Sequence, residues 1–124
     1  MKPLRNTILH LMPYLFWLGF FATIFLTLMP SRDIPQSFIF WDKAQHALAF
    51  FLLMLTGSIA YAKKYYWVLI GLVFYGASIE VMQKYFTYTR SGDVSDLITD
   101  ILGILVGLIV FKLIEHKLFK NSAF

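Results

Sequence analysis

Four long apolar stretches dominate the chain, and each is long enough to cross the hydrocarbon core of a membrane, which needs about 20 mostly apolar residues. Charged residues gather near the ends of these stretches. Because lipid offers no water to unpaired backbone groups, helices are the only open-chain structure that can span it. The pattern predicts an all-α, membrane-embedded bundle of four transmembrane helices, covering about residues 9–29, 43–62, 65–86 and 94–114.

Prolines and lysines mark the ends of the predicted helices. Pro13 lies near the start of the first helix and Pro30 just beyond its end, where the missing N–H donor of proline disrupts least. Lys63 and Lys64 separate the second and third helices by a short turn, which makes those two helices antiparallel neighbours. The sequence has no internal repeat and no linker, so we predict a single transmembrane domain over residues 1–124.

The composition agrees with a membrane protein. Of 124 residues, 59% are hydrophobic and 15% are charged, whereas soluble domains are about 45–50% apolar. A soluble domain this small could not bury so much apolar surface. The absence of cysteine excludes disulfides, thiolate metal sites and cysteine nucleophiles.

The distribution of charge predicts the orientation of the bundle. Seven of the eleven lysines and arginines lie near the termini or at the turn of residues 63–64, which share one side of a four-span bundle. Six of the seven acidic residues lie toward the other side. Because basic residues favour the cytoplasm, we predict that both termini are cytoplasmic and that the acidic end faces outward. The net charge of +4 is thereby explained without a nucleic-acid partner.

Polar residues at the acidic end occur in three short motifs on three different helices. Helical spacing places the members of each motif on one face, and bundle packing can bring the three faces together. An ionised carboxylate in the apolar core costs roughly 2.5–3.5 kcal/mol unless it is paired or hydrated. The motifs are Asp42-Lys43-x-x-His46, Glu80-x-x-Gln83 and Arg90-x-x-Asp93-x-x-Asp96-x-x-x-Asp100.

Glycines continue these polar stripes deeper into the membrane. Gly76 lies one turn from Glu80, and Gly103 and Gly107 follow Asp100 at spacings of three and four residues. Small residues four apart allow close helix approach in membranes. We therefore predict that all three glycines pack against neighbouring helices.

These residue types fit several chemistries, which spacing does not separate. His46 and Glu80 form a candidate acid–base pair. A divalent cation is the one cofactor that the residues suggest, with His46, Glu80, Asp96 and Asp100 as candidate ligands. Alternatively, basic side chains could hold a lipid phosphate. The candidate ligand-binding residues are Asp42, Lys43, Gln83, Arg90, Asp93, Asp96 and Asp100.

A structural interpretation competes with each chemical one. Asp42 and Asp93 are in suitable positions for helix N-caps, and Gln83 could be an interhelical hydrogen-bonding residue. A network of Glu80 and the aspartates with His46 and Arg90 could simply hold the helices together.

At these motifs the chain resembles the VanZ-like family of small bacterial membrane proteins. The resemblance depends on the order and membrane position of the three motifs and on Gly103 and Gly107, and it covers nearly the whole chain. Where the family pattern usually has asparagine, this sequence has Asp100. The resemblance implies a multi-pass protein of the bacterial cytoplasmic (inner) membrane, and some members of the family are associated with low-level resistance to the glycopeptide teicoplanin.

Three hypotheses follow. The leading one is a VanZ-like membrane protein of the bacterial envelope whose outer-facing polar pocket binds an anionic lipid or a lipid-linked cell-wall intermediate. The first alternative is a metal-assisted hydrolase or transferase acting on a lipid head group. The second is a structural polar network in a protein that binds another membrane protein. Four helices would form a pore only as a homo-oligomer, which the sequence leaves open.

Overall fold

The computed structural model describes residues 2–28, 39–86 and 94–119. These residues form helices α1 (Lys2–Leu28), α2 (Ile39–Ala60), α3 (Tyr65–Phe86) and α4 (Val94–Leu118), with one 3-10 turn (Ala62–Lys64) between α2 and α3. Each of the four helices is long and apolar enough to cross a membrane. The prediction of an all-α bundle of four transmembrane helices is therefore confirmed.

Two details at the helix starts differ from expectation. Helix α1 begins at Lys2, so Pro13 lies inside it, and the expectation that this proline marks the helix start was wrong. Proline removes one hydrogen bond from the ladder, but the apolar run continues on both sides of it. Helix α2 begins at Ile39, because apolar residues extend it toward the N-terminus, so Asp42 lies within the helix and is not its N-cap.

Helix α2 is the centre of the bundle and contacts all three other helices, most extensively α4. Glycines permit this close approach. A Cβ atom built on Gly103 would lie 2.3 Å from the carbonyl oxygen of Ala47, and one on Gly107 would lie 2.7 Å from that of Phe51. Both distances are far below a normal van der Waals contact. The backbones of α2 and α4 can therefore approach this closely only because Gly103 and Gly107 have no side chain.

Large apolar side chains fill the space between the helices. Phe50, Leu53 and Met54 of α2 are almost fully buried, together with Ile79 of α3 and Ile104 of α4. These residues belong to one contiguous core cluster. The outer faces are also apolar but exposed, as lipid contact requires.

Helix α1 joins the bundle through aromatic contacts. The ring of Phe20 stacks on that of Tyr75 with centroids 4.1 Å apart, and the Tyr75 hydroxyl donates a hydrogen bond to the Phe20 carbonyl. Farther along, the indole N–H of Trp17 donates to the hydroxyl of Tyr61 at 3.0 Å. These contacts fix α1 against α3 and against the residue that follows the end of α2.

The helices alternate in direction, so α2 and α4 begin at the end of the bundle where α1 and α3 finish. We call this the cluster end, because the polar motifs lie there, and we call the opposite end, with Ala62–Lys64, the turn end.

Candidate functional site

Three ionisable side chains lie at the same level of the bundle. His46 lies seven residues after the start of α2, Asp100 lies six residues after the start of α4, and Glu80 lies six residues before the end of α3. At 1.5 Å per residue, each lies about 9–10 Å from the cluster end of its helix. Helices α2, α3 and α4 therefore each contribute one ionisable residue to the same layer of the bundle.

The three side chains meet inside the protein. His46 Nδ1 lies 3.3 Å from Asp100 Oδ1, and one ligand atom each from His46, Glu80 and Asp100 lies within 4.8 Å of the others. The exposed fractions of the residues are 5%, 8% and 1% respectively. We call these residues the buried trio.

A lysine and an aspartate lie one turn nearer the cluster end. Lys43 Nζ and Asp96 Oδ1 form a salt bridge of 2.7 Å, and the same ammonium donates a hydrogen bond to the hydroxyl of Ser95. The side chain of Lys43 is 29% exposed and that of Asp96 is 12% exposed. We call Lys43 and Asp96 the entrance pair, because they lie between the buried trio and the helix ends.

The layer on the other side of the buried trio is apolar. Phe50, Gly76 and Ile104 each lie four residues deeper than a member of the trio and are buried. A Cβ atom on Gly76 would lie 3.2 Å from Asp100 Oδ2 and 3.5 Å from the Phe50 ring. Gly76 thus leaves room for the Asp100 carboxylate, and these three residues form an apolar floor beneath the trio.

Among the described residues, the cluster holds more carboxylates than ammonium groups. Lys43 is the one lysine or arginine beside the carboxylates of Glu80, Asp96 and Asp100. In addition, Asp100 Oδ2 is buried and accepts no hydrogen bond from the described residues. A buried acceptor left in this state costs about 1–3 kcal/mol, so a hydrogen-bond donor or a cation at Asp100 Oδ2 would stabilise the protein.

Gln83 ties the end of α1 to α3. Its Nε2 donates a hydrogen bond of 2.8 Å to the carbonyl oxygen of Thr27. That carbonyl is in the last turn of α1, where carbonyl groups have no partner within the helix. The amide therefore supplies a hydrogen bond that the helix itself cannot make.

Replacing Gln83 with leucine should lower the free energy of unfolding by about 1–3 kcal/mol, because a buried carbonyl loses its donor. Thermal unfolding in detergent measures this loss. Gln45→Leu is the matched control, since Gln45 is exposed on α2 and surface changes are usually within about 0.5 kcal/mol. Equal stability of Q83L and Q45L would contradict the assignment.

The structure brings some of the sequence-predicted site residues together and leaves others undescribed. His46, Glu80 and Asp100 converge, and Lys43 lies against Asp96. Arg90, Asp93 and the side chain of Asp42 lie outside the described part of the structure.

Sequence reasoning missed Ser95, whose hydroxyl accepts a hydrogen bond from Lys43. A serine in the first turn of a helix is a common feature, so the sequence carried no signal that distinguished it. Its partner is set by the packing of α4 against α2, which becomes visible only in three dimensions.

Two cavities lie elsewhere, at the turn end. One of about 400 Å³ lies beside Ala62–Lys64 and Phe119. The other, of about 310 Å³, is lined mainly by aromatic side chains of α1 and α3, including Trp17 and Trp67. Neither lining contains a carboxylate or a histidine, so the ionisable cluster is a separate feature of the bundle.

The chain was compared with protein families, with curated proteins and with solved structures. The VanZ/LLP1 family model matches residues 2–115. No curated protein and no solved structure matches the chain. The family match covers all four helices up to the last turn of α4, including the buried trio and the entrance pair. This chain of four membrane-spanning helices is therefore a multi-pass membrane protein that belongs to the VanZ/LLP1 family.

Proposed function

We propose that this protein binds the anionic head group of an envelope lipid, or of a lipid-linked cell-wall intermediate, at the cluster end of the bundle. One observation carries the proposal: ionisable side chains from α2, α3 and α4 converge within the outer two turns of the helices. Ionisable residues inside a membrane are costly, and they mark ligand or ion pathways by default. The convergence of three helices favours such a role over isolated caps.

The proposed membrane is the bacterial cytoplasmic membrane, with the cluster end outward. Lys63 and Lys64 form the turn at the other end, together with the lysines near the end of α4. Because the positive-inside rule places such residues in the cytoplasm, the cluster end would face the cell wall. Its ligand would then be a molecule of the outer leaflet.

The entrance pair supplies the first contact for an anionic head group in this proposal. Lys43 is part-exposed and forms its salt bridge near the ends of the helices. An ammonium is a common point-charge partner for phosphate. In the sequence, Arg90 lies between α3 and α4. It is a second cationic residue and begins the motif that contains Asp96 and Asp100.

Replacing Lys43 with methionine should reduce retention of an anionic lipid about tenfold, because a charge-assisted hydrogen bond is lost while the aliphatic stem remains. The full chain in detergent is exposed to phosphatidylglycerol and to phosphatidylcholine, and bound lipid is quantified by mass spectrometry. Asp96→Asn should not lower retention, since it removes a competing carboxylate from Lys43.

Lys84→Met is the matched control, because Lys84 is an exposed lysine near the same end of α3 and lies over the ring of Tyr85 at 5.7 Å. Equal retention by wild type, K43M and K84M would contradict the proposal. Chemical conversion of the lipid during the assay would instead identify an enzyme acting on the head group.

A cellular phenotype gives a second test. Glu80→Gln and Lys43→Met, at matched protein level, should change sensitivity to glycopeptides or to envelope stress if the cluster serves the cell envelope. The link to glycopeptide resistance comes from the family and is part of this proposal. Wild-type behaviour of both variants would count against an envelope role.

A further inference from the structure

We infer that the buried trio of His46, Glu80 and Asp100 is a binding site for a divalent transition-metal cation of the Zn²⁺ or Mn²⁺ class. The inference deepens the proposed function and rests on it in one respect: the cation would supply the positive charge that attracts the head group. The site itself stands on the geometry of the three side chains.

The donor atoms determine the class of cation. The trio offers one imidazole nitrogen and two carboxylates. Ca²⁺ and Mg²⁺ prefer oxygen ligands throughout, whereas imidazole suits Zn²⁺ and other first-row transition metals. Sites with three protein ligands leave one coordination position for water or a substrate atom. A phosphate oxygen of a head group could occupy that position.

The distances agree with such a site. Zn–N and Zn–O bonds of about 2.0–2.2 Å in tetrahedral geometry separate two ligand atoms by about 3.4 Å. His46 Nδ1 and Asp100 Oδ1 are 3.3 Å apart. Glu80 offers an oxygen within 4.8 Å of the other two ligand atoms, so only a small movement of its flexible side chain is needed.

A second observation points to a ligand independently of the distances. Asp100 is 1% exposed, and its Oδ2 accepts no hydrogen bond from the described residues. Buried polar atoms of native proteins nearly always have a partner. Gly76, with no side chain, keeps space open beside this oxygen. A cation held by both carboxylate oxygens of Asp100 would give Oδ2 a partner.

The charge of the cluster supports the same conclusion. Within the described residues, the carboxylates of Glu80, Asp96 and Asp100 outnumber the one ammonium of Lys43. A divalent cation in the trio would add positive charge close to the entrance pair, because a bound ion is often the largest charge in its site.

The test uses the full chain in detergent, loaded with Zn²⁺ or Mn²⁺, washed, and analysed for bound metal. We expect about one metal ion per chain. Each conservative variant, His46→Gln, Glu80→Gln and Asp100→Asn, should bind the ion about 100-fold more weakly or worse, since even outer-shell changes cost 10–100-fold. Lys43→Met should retain the metal, because Lys43 lies outside the trio.

Absence of metal from folded wild-type protein would overturn the inference. Equal metal content in wild type and all three trio variants would also overturn it, because the ion would then be bound elsewhere, for example at His10 or His116. Should the variants fail to fold, Co²⁺ loading of the wild type decides the matter. A visible spectrum of low-coordinate Co²⁺ that Zn²⁺ abolishes supports the site, and a spectrum of hydrated Co²⁺ overturns it.

Lipid retention, measured in the same samples, separates the two proposals. Metal bound by the trio, with phosphatidylglycerol retention lost on chelation, supports both. Lipid retained through Lys43 by a protein that binds no metal overturns the cation site alone. Metal bound at the trio, with equal lipid retention by wild type and K43M, supports the cation site and contradicts the proposed function.

Discussion

Replacing Gly103 with alanine is expected to lower the free energy of unfolding by about 3 kcal/mol, the upper part of the range for overpacking. The added methyl group would lie 2.3 Å from the carbonyl oxygen of Ala47. Because this oxygen belongs to the backbone of α2, no side-chain rotation can relieve the overlap. The two helices must separate, and the largest interface of the bundle loses contact along its length. Thermal unfolding in detergent measures the change.

Gly71→Ala is the matched control, since a Cβ atom at Gly71 has no neighbour within 4 Å. Alanine is a better helix former than glycine by about 1 kcal/mol, so G71A should be neutral or slightly stabilising. A Gly103→Ala variant as stable as G71A would show that α2 and α4 do not depend on this contact.

The second large effect concerns the pair of His46 and Asp100. Replacing either residue with leucine leaves a buried polar group without this hydrogen-bond partner, which costs about 1–3 kcal/mol and more for a charged group. The double variant H46L/D100L should be more stable than the sum of the two losses predicts, because it leaves neither group behind. Unfolding of all four proteins is measured in the presence of chelator, so that a bound metal does not contribute.

Additive losses in this cycle would show that the 3.3 Å contact carries no coupling. The same four proteins should be assayed for metal and lipid binding. All three variants should lose metal, whatever their stability, because the trio would lack at least one ligand. Stability restored without metal binding would separate the structural role of the pair from its functional role.

Much of the fold could be predicted from the sequence, because the bilayer imposes a simple length rule. The third helix has the predicted limits, and the fourth begins at the predicted residue. The start of α1 could not be predicted, since Lys2 and Arg5 interrupt the apolar pattern but do not prevent a helix. Likewise, α2 begins before Asp42, because an aspartate inside the first turns is as compatible with a helix as one that caps it.

The sequence predicted which residues form the candidate site better than it predicted which of them contact one another. Spacing placed His46, Glu80 and Asp100 at one end of three helices, but only packing shows that these three converge while Asp96 pairs with Lys43. The role of Gln83 in bonding to the Thr27 carbonyl depends on the position of α1, which no local pattern specifies. Short motifs identify residues, whereas long-range packing assigns their partners.

The apolar floor of Phe50, Gly76 and Ile104 closes the cluster on the side that faces the turn end. Within the described residues, a ligand that enters from the cluster end meets tightly packed apolar side chains about three turns down and would leave at the same end. Occupancy should then follow the composition of the medium on that side alone. A divalent ion at the buried trio would lie roughly a third of the way into a hydrocarbon core about 30 Å thick, so its affinity should change by about 1.5 kcal/mol for each 100 mV of membrane potential.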